Sequence, residues 1–320
     1  MLNALGLENT LDTGEREAAW LNHLAPEVRP NRAERPVPCP PLASRPRTFS
    51  ATEIDIWLTD PYAIYAKKIL RLKPLEPVDR PPDMSLRGTM FHDALAKFTK
   101  ANPTGVPGPN ALAQLLAIGR AEFGNQMDEA AIKMFWWPRF EAMARWFVET
   151  EKRRRENIAS VYAEIRGSIA LSAPQGPVTL SARADRLEYG FDGTWTIVDY
   201  KTGVVPSHNH VRAGVRNQLA VEALIAAEGG FSDLPPGPVA ALEYWQISGR
   251  GSAPGDIKSR LDGTFDAASK RQYLENLAAE YDNPQRGYPS EPDPSLVPSF
   301  KPYEHLSRSR EWRSGADYED

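Results

Sequence analysis

Asp199 and Lys201 stand two residues apart in the run Thr194–Lys201, and Asp185 stands on the run before it, Pro177–Tyr189. Strand side chains alternate faces, so a carboxylate and an ammonium at this spacing project together from one face. Asp192-Gly193 between the two runs is a tight-turn dipeptide, which predicts a hairpin. Pairing within it carries Asp185 towards Asp199. Two carboxylates forced together repel unless a proton or a cation sits between them. A divalent metal is the usual solution, and oxygen ligands suit Mg²⁺ or Mn²⁺. A lysine beside such a metal stabilises charge developing on a phosphate or holds a water.

The elements that must position this hairpin are legible around it. Ser50 with Glu53 three residues on makes a capping box, and Ile54, Trp57 and Leu58 follow the helical period. Asp60-Pro61 starts a second helix. Its C-terminal end carries Lys67, Lys68, Arg71 and Lys73, which suit a helix terminus or a DNA phosphate. Gly88–Thr99 reads as a helix burying Phe91, Leu95 and Phe98, with His92 at the edge of that stripe. Residues 111–123 and 129–157 are further helices. The aromatics Trp136, Trp137, Phe140, Trp146 and Phe147 fit a core, or more sharply a base-stacking platform. Lys152-Arg153-Arg154-Arg155 reads as a solvated helix end. Val161–Leu171 and Val239–Ile247 add strands. Val211–Ala227 reads as one helix on which Gln218 and Glu222 share a face. Arg212 and Arg216, one turn apart near its start, suit phosphate contacts. Thr264–Tyr281 is a last amphipathic helix, and the tail from Asn283 reads as a cover. The pattern predicts an α/β fold with a central mixed sheet flanked by helices and a helical N-terminal portion.

Composition sets the bounds. The length of 320 residues allows one large domain or two small ones. Residues 1–46 read as a short helix at Gly14–Leu24 and a Pro/Arg-rich linker, the tail end of something larger, with the main domain over 47–320. Cys39 is the single cysteine, so this chain alone makes no disulfide and no Cys-ligated iron–sulfur cluster. No run reaches the ~18 apolar residues of a membrane helix, and the N-terminus lacks a signal-peptide pattern. A cytoplasmic protein with no membrane partner is expected. The formal charge of −4 does not advertise nucleic-acid binding, although a local basic groove fits an acidic chain. No G-x-x-x-x-G-K-[ST] loop is present, so no ATPase motor is recognisable.

Four elements then come in order: Gly88-Thr89-Met90-Phe91-His92, Ala184-Asp185, Asp199-Tyr200-Lys201-Thr202-Gly203 and Asn217-Gln218-Leu219. In content and spacing they resemble the PD-(D/E)XK nuclease superfamily, in its RecB-like branch. The surrounding wording is most similar to the C-terminal nuclease domains of the AddB family, subunits of the bacterial AddAB helicase–nuclease. The resemblance runs from roughly Thr48 to the C-terminus. It implies a restriction-endonuclease-like core and a Mg²⁺- or Mn²⁺-dependent deoxyribonuclease of exonuclease type. His92, Asp185, Asp199 and the main-chain carbonyl of Tyr200 become metal ligands. Lys201 orients the water or stabilises the transition state, and Gln218 orients the lysine or touches DNA. Glu164 becomes a secondary candidate on the first core strand. Glu222 stands where relatives often carry Tyr, which removes an aromatic stacking role. The implied substrate is the single-stranded DNA end ending 5′ at a double-strand break, and the implied partner is an AddA-type helicase–nuclease subunit. Two other readings stay open: an inactive nuclease-fold scaffold that binds DNA or a helicase, and a stand-alone RecB-like nuclease.

Overall fold

A three-residue strand, β1 (Thr48–Ser50), runs directly into helix α1 (Ala51–Thr59). Ser50 makes the switch. Its hydroxyl accepts the Glu53 N–H and its own N–H donates to the Glu53 carboxylate, the expected capping box. Burial alone would raise the Glu53 pKa, but Lys67 and Lys68, each 2.9 Å away, hold it below the ordinary value. These two lysines therefore serve the fold. Helix α2 (Pro61–Ile64) opens on its proline and widens into a π turn at Tyr65–Ile69. The computed structural model describes residues 33–74, 84–130, 132–251, 253–261, 263–296 and 301–313. The expected helix at Gly14–Leu24 lies outside them.

Helices α3 (Met84–Ala101), α4 (Ala111–Phe123) and α5 (Trp137–Arg154) follow, then the strands. β2 (Ile158–Leu171) lies antiparallel along the whole of β3 (Val178–Gly190). The other edge of β3 is shared. Its first half takes β1 in parallel, and its second half takes β4 (Trp195–Lys201) antiparallel. The turn between β3 and β4 uses Gly193 at φ +79°, a conformation that favours glycine. The chain crosses through α6 (His208–Arg212) and α7 (Gln218–Ala227) to β5 (Val239–Gln246), parallel to β4. β6 (Asp256–Ser259) closes the six-stranded mixed sheet antiparallel to β5, and α8 (Ala267–Glu280) follows.

The sheet separates two cores. On one face α1, α7 and α8 bury Trp57, Leu224 and Leu277 against Leu180, Leu187 and Ile197. On the other face α3, α4 and α5 bury Phe91, Leu115 and Phe147 against Val198, Tyr200 and Trp245. The dense aromatics of α5 are mostly core: Phe140 and Phe147 are fully buried.

Two expectations are corrected. Val211–Ala227 is not one helix. The chain breaks at 213–217, where Gly214 takes φ +69° and the buried Asp55 captures the Asn217 N–H. The basic run Lys152–Arg155 is solvated only in its first half, where Lys152 pairs with Glu149 at the surface and Arg153 is exposed. Arg155 is buried against Glu151, and Arg154 reaches Glu188 and Glu243. Arg186, fully buried, joins Glu151 at 2.6 Å and Glu188 at 2.8 Å. Carboxylates on the sheet draw Arg154 inward and Glu151 of α5 holds Arg155, because a buried charge must be paired. The tail does fold back: Tyr288 N–H and Ser290 N–H donate to the carbonyls of Pro38 and Pro36.

The contacts divide the chain into a unit of Pro36–Tyr303 and a smaller one of Met1–Arg35 with Glu304–Asp320. In the smaller unit, α9 (Glu304–Ser307) and α10 (Ser309–Arg313) are two short helices, and the Arg35 guanidinium lies 5.0 Å from the Trp312 ring. Among the described residues no helix is long and apolar enough to cross a membrane.

Candidate active site

Strand alternation in β4 decides the site. Trp195 and Ile197 point to the α7 face, so Asp199 and Lys201 follow them there, while Val198 and Tyr200 enter the opposite core. Lys201 Nζ sits 2.6 Å from Asp199 Oδ2. Gln218, the first residue of α7, donates from Nε2 to Asp199 Oδ1 at 2.6 Å, and its Oε1 accepts from Lys201 Nζ at 3.5 Å. Glu222, one turn on, takes a further bond from Gln218 Nε2 at 3.3 Å. Asp199, Lys201, Gln218 and Glu222 thus form one connected group.

Asp185 reaches the site by an irregularity. Along β3 the residues facing the first core change parity, from Leu180, Ala182 and Ala184 to Leu187. Asp185 stands at the changeover, opposite Glu164, which takes φ +56°. Ladder pairing with β4 ends at Arg186↔Val198, one step before Asp185 would face Asp199. Its Oδ2 instead accepts the Tyr200 N–H at 2.9 Å and lies 3.3 Å from His92 Nδ1. The His92 ring stands edge-on to Tyr200, with centroids 5.7 Å apart. Glu164 pairs with Arg183 beside this group.

The charges are out of balance. Burial pushes the Asp199 carboxyl up to about 6, with Lys201 opposing and Asp185 adding to the rise. Glu222 is fully buried and is driven well above the usual range, by burial first and by Asp199 and Asp185 next. Its Oε2 has no hydrogen-bond partner among the described residues. Burial would raise Asp185 too, but His92 and the Tyr200 N–H hold it below its ordinary value. His92 is raised in turn, since Asp185 outweighs the effect of burial. Burial and Asp185 together raise Glu164.

This donor set fits a divalent cation. Asp185, Asp199 and Glu222 crowd three carboxyl groups together in a largely buried place, which raises Asp199 and Glu222, and their oxygens suit Mg²⁺ or Mn²⁺. No three of the described His, Asp and Glu residues are gathered into a closed metal cage. His92 and Asp185 touch each other, while Asp199 is engaged by Lys201 and Gln218.

Two clefts meet at Lys201 and Val204. One, of about 460 Å³, is lined by His92, Glu164 and Tyr200. The other, of about 720 Å³, is lined by Asp55, His210, Arg216 and Gln218. Arg216 lies in the break before α7 and faces Asp55 at 3.7 Å. Arg212 ends α6, exposed, so the pair does not share one helix start. Asp55 escaped the sequence reading because it belongs to a distant helix; nothing in its local pattern separates it from a surface residue.

The sequence profile of the PD-(D/E)XK nuclease superfamily matches residues 48–295. The chain belongs to that superfamily. The mixed sheet between helices is the restriction-endonuclease-like core expected. Members are generally nucleases that use divalent metals. Uncharacterized proteins of Rickettsia are similar over part of the chain. One from Rickettsia conorii is 30% identical over 192 residues, 59% of this chain and 23% of its own length. One from Rickettsia typhi is 31% identical over 59% of this chain and 22% of its own length. The chain thus spans under a quarter of the curated relatives it matches. The crystal structure of SSO0001 overlaps at 10% identity and a TM-score of 0.29, covering 73% of this chain and 76% of that one.

Proposed function

We propose that this PD-(D/E)XK domain hydrolyses phosphodiester bonds of single-stranded DNA with Mg²⁺ or Mn²⁺, as an exonuclease-type domain of an AddB-type subunit working at double-strand breaks with an AddA-type partner. The observation that carries it is the meeting of Asp199, Lys201 and Gln218 with Asp185 and His92 across Tyr200. His92, Asp185, Asp199 and the Tyr200 carbonyl would hold the cation, and a His ligand favours Mn²⁺ over Mg²⁺. A cation bound there lowers the pKa of its water and neutralises the scissile phosphate. The chain's own groups do the rest. Lys201 presents an ammonium to the cleft, where it steadies a water or the charge growing on phosphate. Gln218 fixes the Asp199 carboxylate and the Lys201 ammonium relative to each other through its two amide atoms. His92 and the Tyr200 N–H keep Asp185 ionised. Two clefts meeting at Lys201 suit a strand that passes across the site.

The test is cleavage of end-labelled single-stranded DNA with Mg²⁺ or Mn²⁺, paired with calorimetry of the same cations. Lys201→Ala is expected to lose cleavage by 10²-fold or more, roughly the worth of one charge-stabilising donor, while still binding the cation. Asp199→Ala is expected to lose both. Cleavage that survives in both folded variants overturns the site. A native chain that neither binds the cation nor cuts overturns the enzyme.

A further inference from the structure

Arg87 is a cation in the wrong place for a soluble helix. It lies four residues before Phe91, on the stripe of α3 that faces the core, and is 1% exposed. Its Nε and Nη2 have no hydrogen-bond partner among the described residues, and no carboxylate among them pairs with it. Burying an unpaired charge is costly, and a protein ordinarily neutralises or pairs it.

What surrounds Arg87 is more positive charge. The Phe91 ring packs edge-on against Phe140, with centroids 5.3 Å apart, which sets the first turn of α5 beside α3. Arg139 is the residue before Phe140. After β5, Gly249 at φ +62° sits on that same turn, so close that a Cβ would come 2.1 Å from the Arg139 carbonyl oxygen. Only glycine allows this approach, and it delivers Arg250 next to Arg139. Burial, then Arg139 and Arg250, depress the Arg87 pKa. Arg139 and Arg250 likewise have no ion-pair partner among the described residues.

The cluster borders the hairpin site. Gly88, the next residue of α3, faces Thr202 Oγ1, at 3.2 Å from where its Cβ would stand, and Thr202 follows Lys201. Ile247, two residues before Gly249, donates its N–H to the Lys201 carbonyl at 2.8 Å. Phe135, four residues before Arg139, is 59% exposed.

We infer that Arg87, Arg139 and Arg250 form a second, phosphate-binding site that takes a backbone phosphate of a single nucleic-acid strand beside the hairpin, with Phe135 placed to stack a base. The guanidinium fork matches phosphate oxygens, and an anion seated there supplies the counter-charge that Arg87 lacks. Exposed aromatics beside a basic groove are the usual means of holding a single strand. The choice of a strand over free phosphate rests on the proposed nuclease function; the phosphate chemistry does not.

The test is fluorescence anisotropy of labelled oligothymidylate with the full chain in EDTA, across a salt series. Arg139 is half-buried and Arg250 exposed, so Arg139→Gln/Arg250→Gln leaves the core intact. It is expected to weaken binding about tenfold or more and to flatten the log–log salt slope by about 0.7, the worth of one phosphate contact on a single strand. Phe135→Ala is expected to weaken binding and leave the slope alone. Arg87→Met is expected to melt higher than the native chain in plain buffer. Inorganic phosphate should raise the native Tm and not that of Arg87→Met. Unchanged affinity and slope in the double variant overturn the site. Phosphate stabilisation through Arg87 without oligonucleotide binding overturns the strand and leaves a free-phosphate site. Binding in EDTA needs neither cation nor cleavage, so a chain that fails to cut DNA still reports on this site.

Discussion

The amide of Gln218 touches three ionisable neighbours, and each end has one correct orientation. Nε2 donates to Asp199 and Glu222, and Oε1 accepts from Lys201. Glu222 Oε1 therefore fixes which way the amide lies. Burial pushes this carboxyl well above its usual pKa, with Asp199 and Asp185 adding to the rise. Glu222→Gln retains an oxygen acceptor and is expected to keep single-turnover cleavage within about threefold. Glu222→Leu removes it and is expected to lower cleavage about fivefold to tenfold, the worth of about one hydrogen bond. Equal rates in both variants would detach Glu222 from the site.

At the scale of elements, the break before α7 is what aims Gln218. Asp55 of α1 accepts the Asn217 N–H at 2.6 Å and its side-chain amide at 3.3 Å. Lys270 of α8 donates to Asn217 Oδ1, and Asn217 closes on the Gly214 carbonyl at 2.6 Å. Two helices distant in sequence thus hold the first turn of α7, one residue before Gln218. Asp55→Ala is expected to lower stability by about 1–2 kcal/mol, as for a lost helix cap, in urea titration. It should also slow cleavage without changing the apparent KM for DNA. Asp55→Asn keeps the acceptor and should restore most of both. A stability loss with no effect on rate would confine Asp55 to the fold. The buried ions Glu151, Arg186 and Glu188 act similarly on the opposite face, where Arg186 Nη1 donates to the Tyr200 hydroxyl at 3.4 Å.

At the scale of the Pro36–Tyr303 unit, its two ends meet at Asp60. The Glu291 N–H donates to Asp60 Oδ1 at 3.3 Å, and the Tyr62 N–H donates to the Pro289 carbonyl at 3.2 Å. Burial, with the Glu291 charge adding, raises the Asp60 carboxyl to about 6. Its unfolded value is near 4, so between about pH 4 and 6 the folded chain binds the extra proton. The contribution of Asp60 to stability therefore improves as pH falls from 6 to 4 and is unfavourable at neutral pH. Asp60→Asn should stabilise the protein by about 2–3 kcal/mol at pH 7, from a shift of ~2 pH units at ~1.4 kcal/mol each. The difference should vanish near pH 4. Thermal unfolding across that range checks it, and a gap independent of pH would mean the effect is not titration.

The sequence by itself determined the chemistry-bearing set and its strands. Alternation places Asp199 and Lys201 on one face whatever surrounds them, and the capping box at Ser50 and the turn at Asp192-Gly193 are local facts of a few residues. Those signals need only neighbours in the chain, and the resemblance carried His92 and Gln218. Tertiary structure decided the rest. Asp185 turns to His92 and the Tyr200 N–H because β3 changes parity there, opposite Glu164 of β2, an irregularity without a local sequence signal. Val211–Ala227 breaks because a buried carboxylate from α1 takes the Asn217 N–H. Arg154, in the basic run ending α5, turns inward because Glu188 and Glu243 wait on the sheet. Arg87 carried a legible hint, a charge on an apolar stripe, but its meaning needs Arg139 and Arg250. Charges act through space, and only the fold says which of them are near.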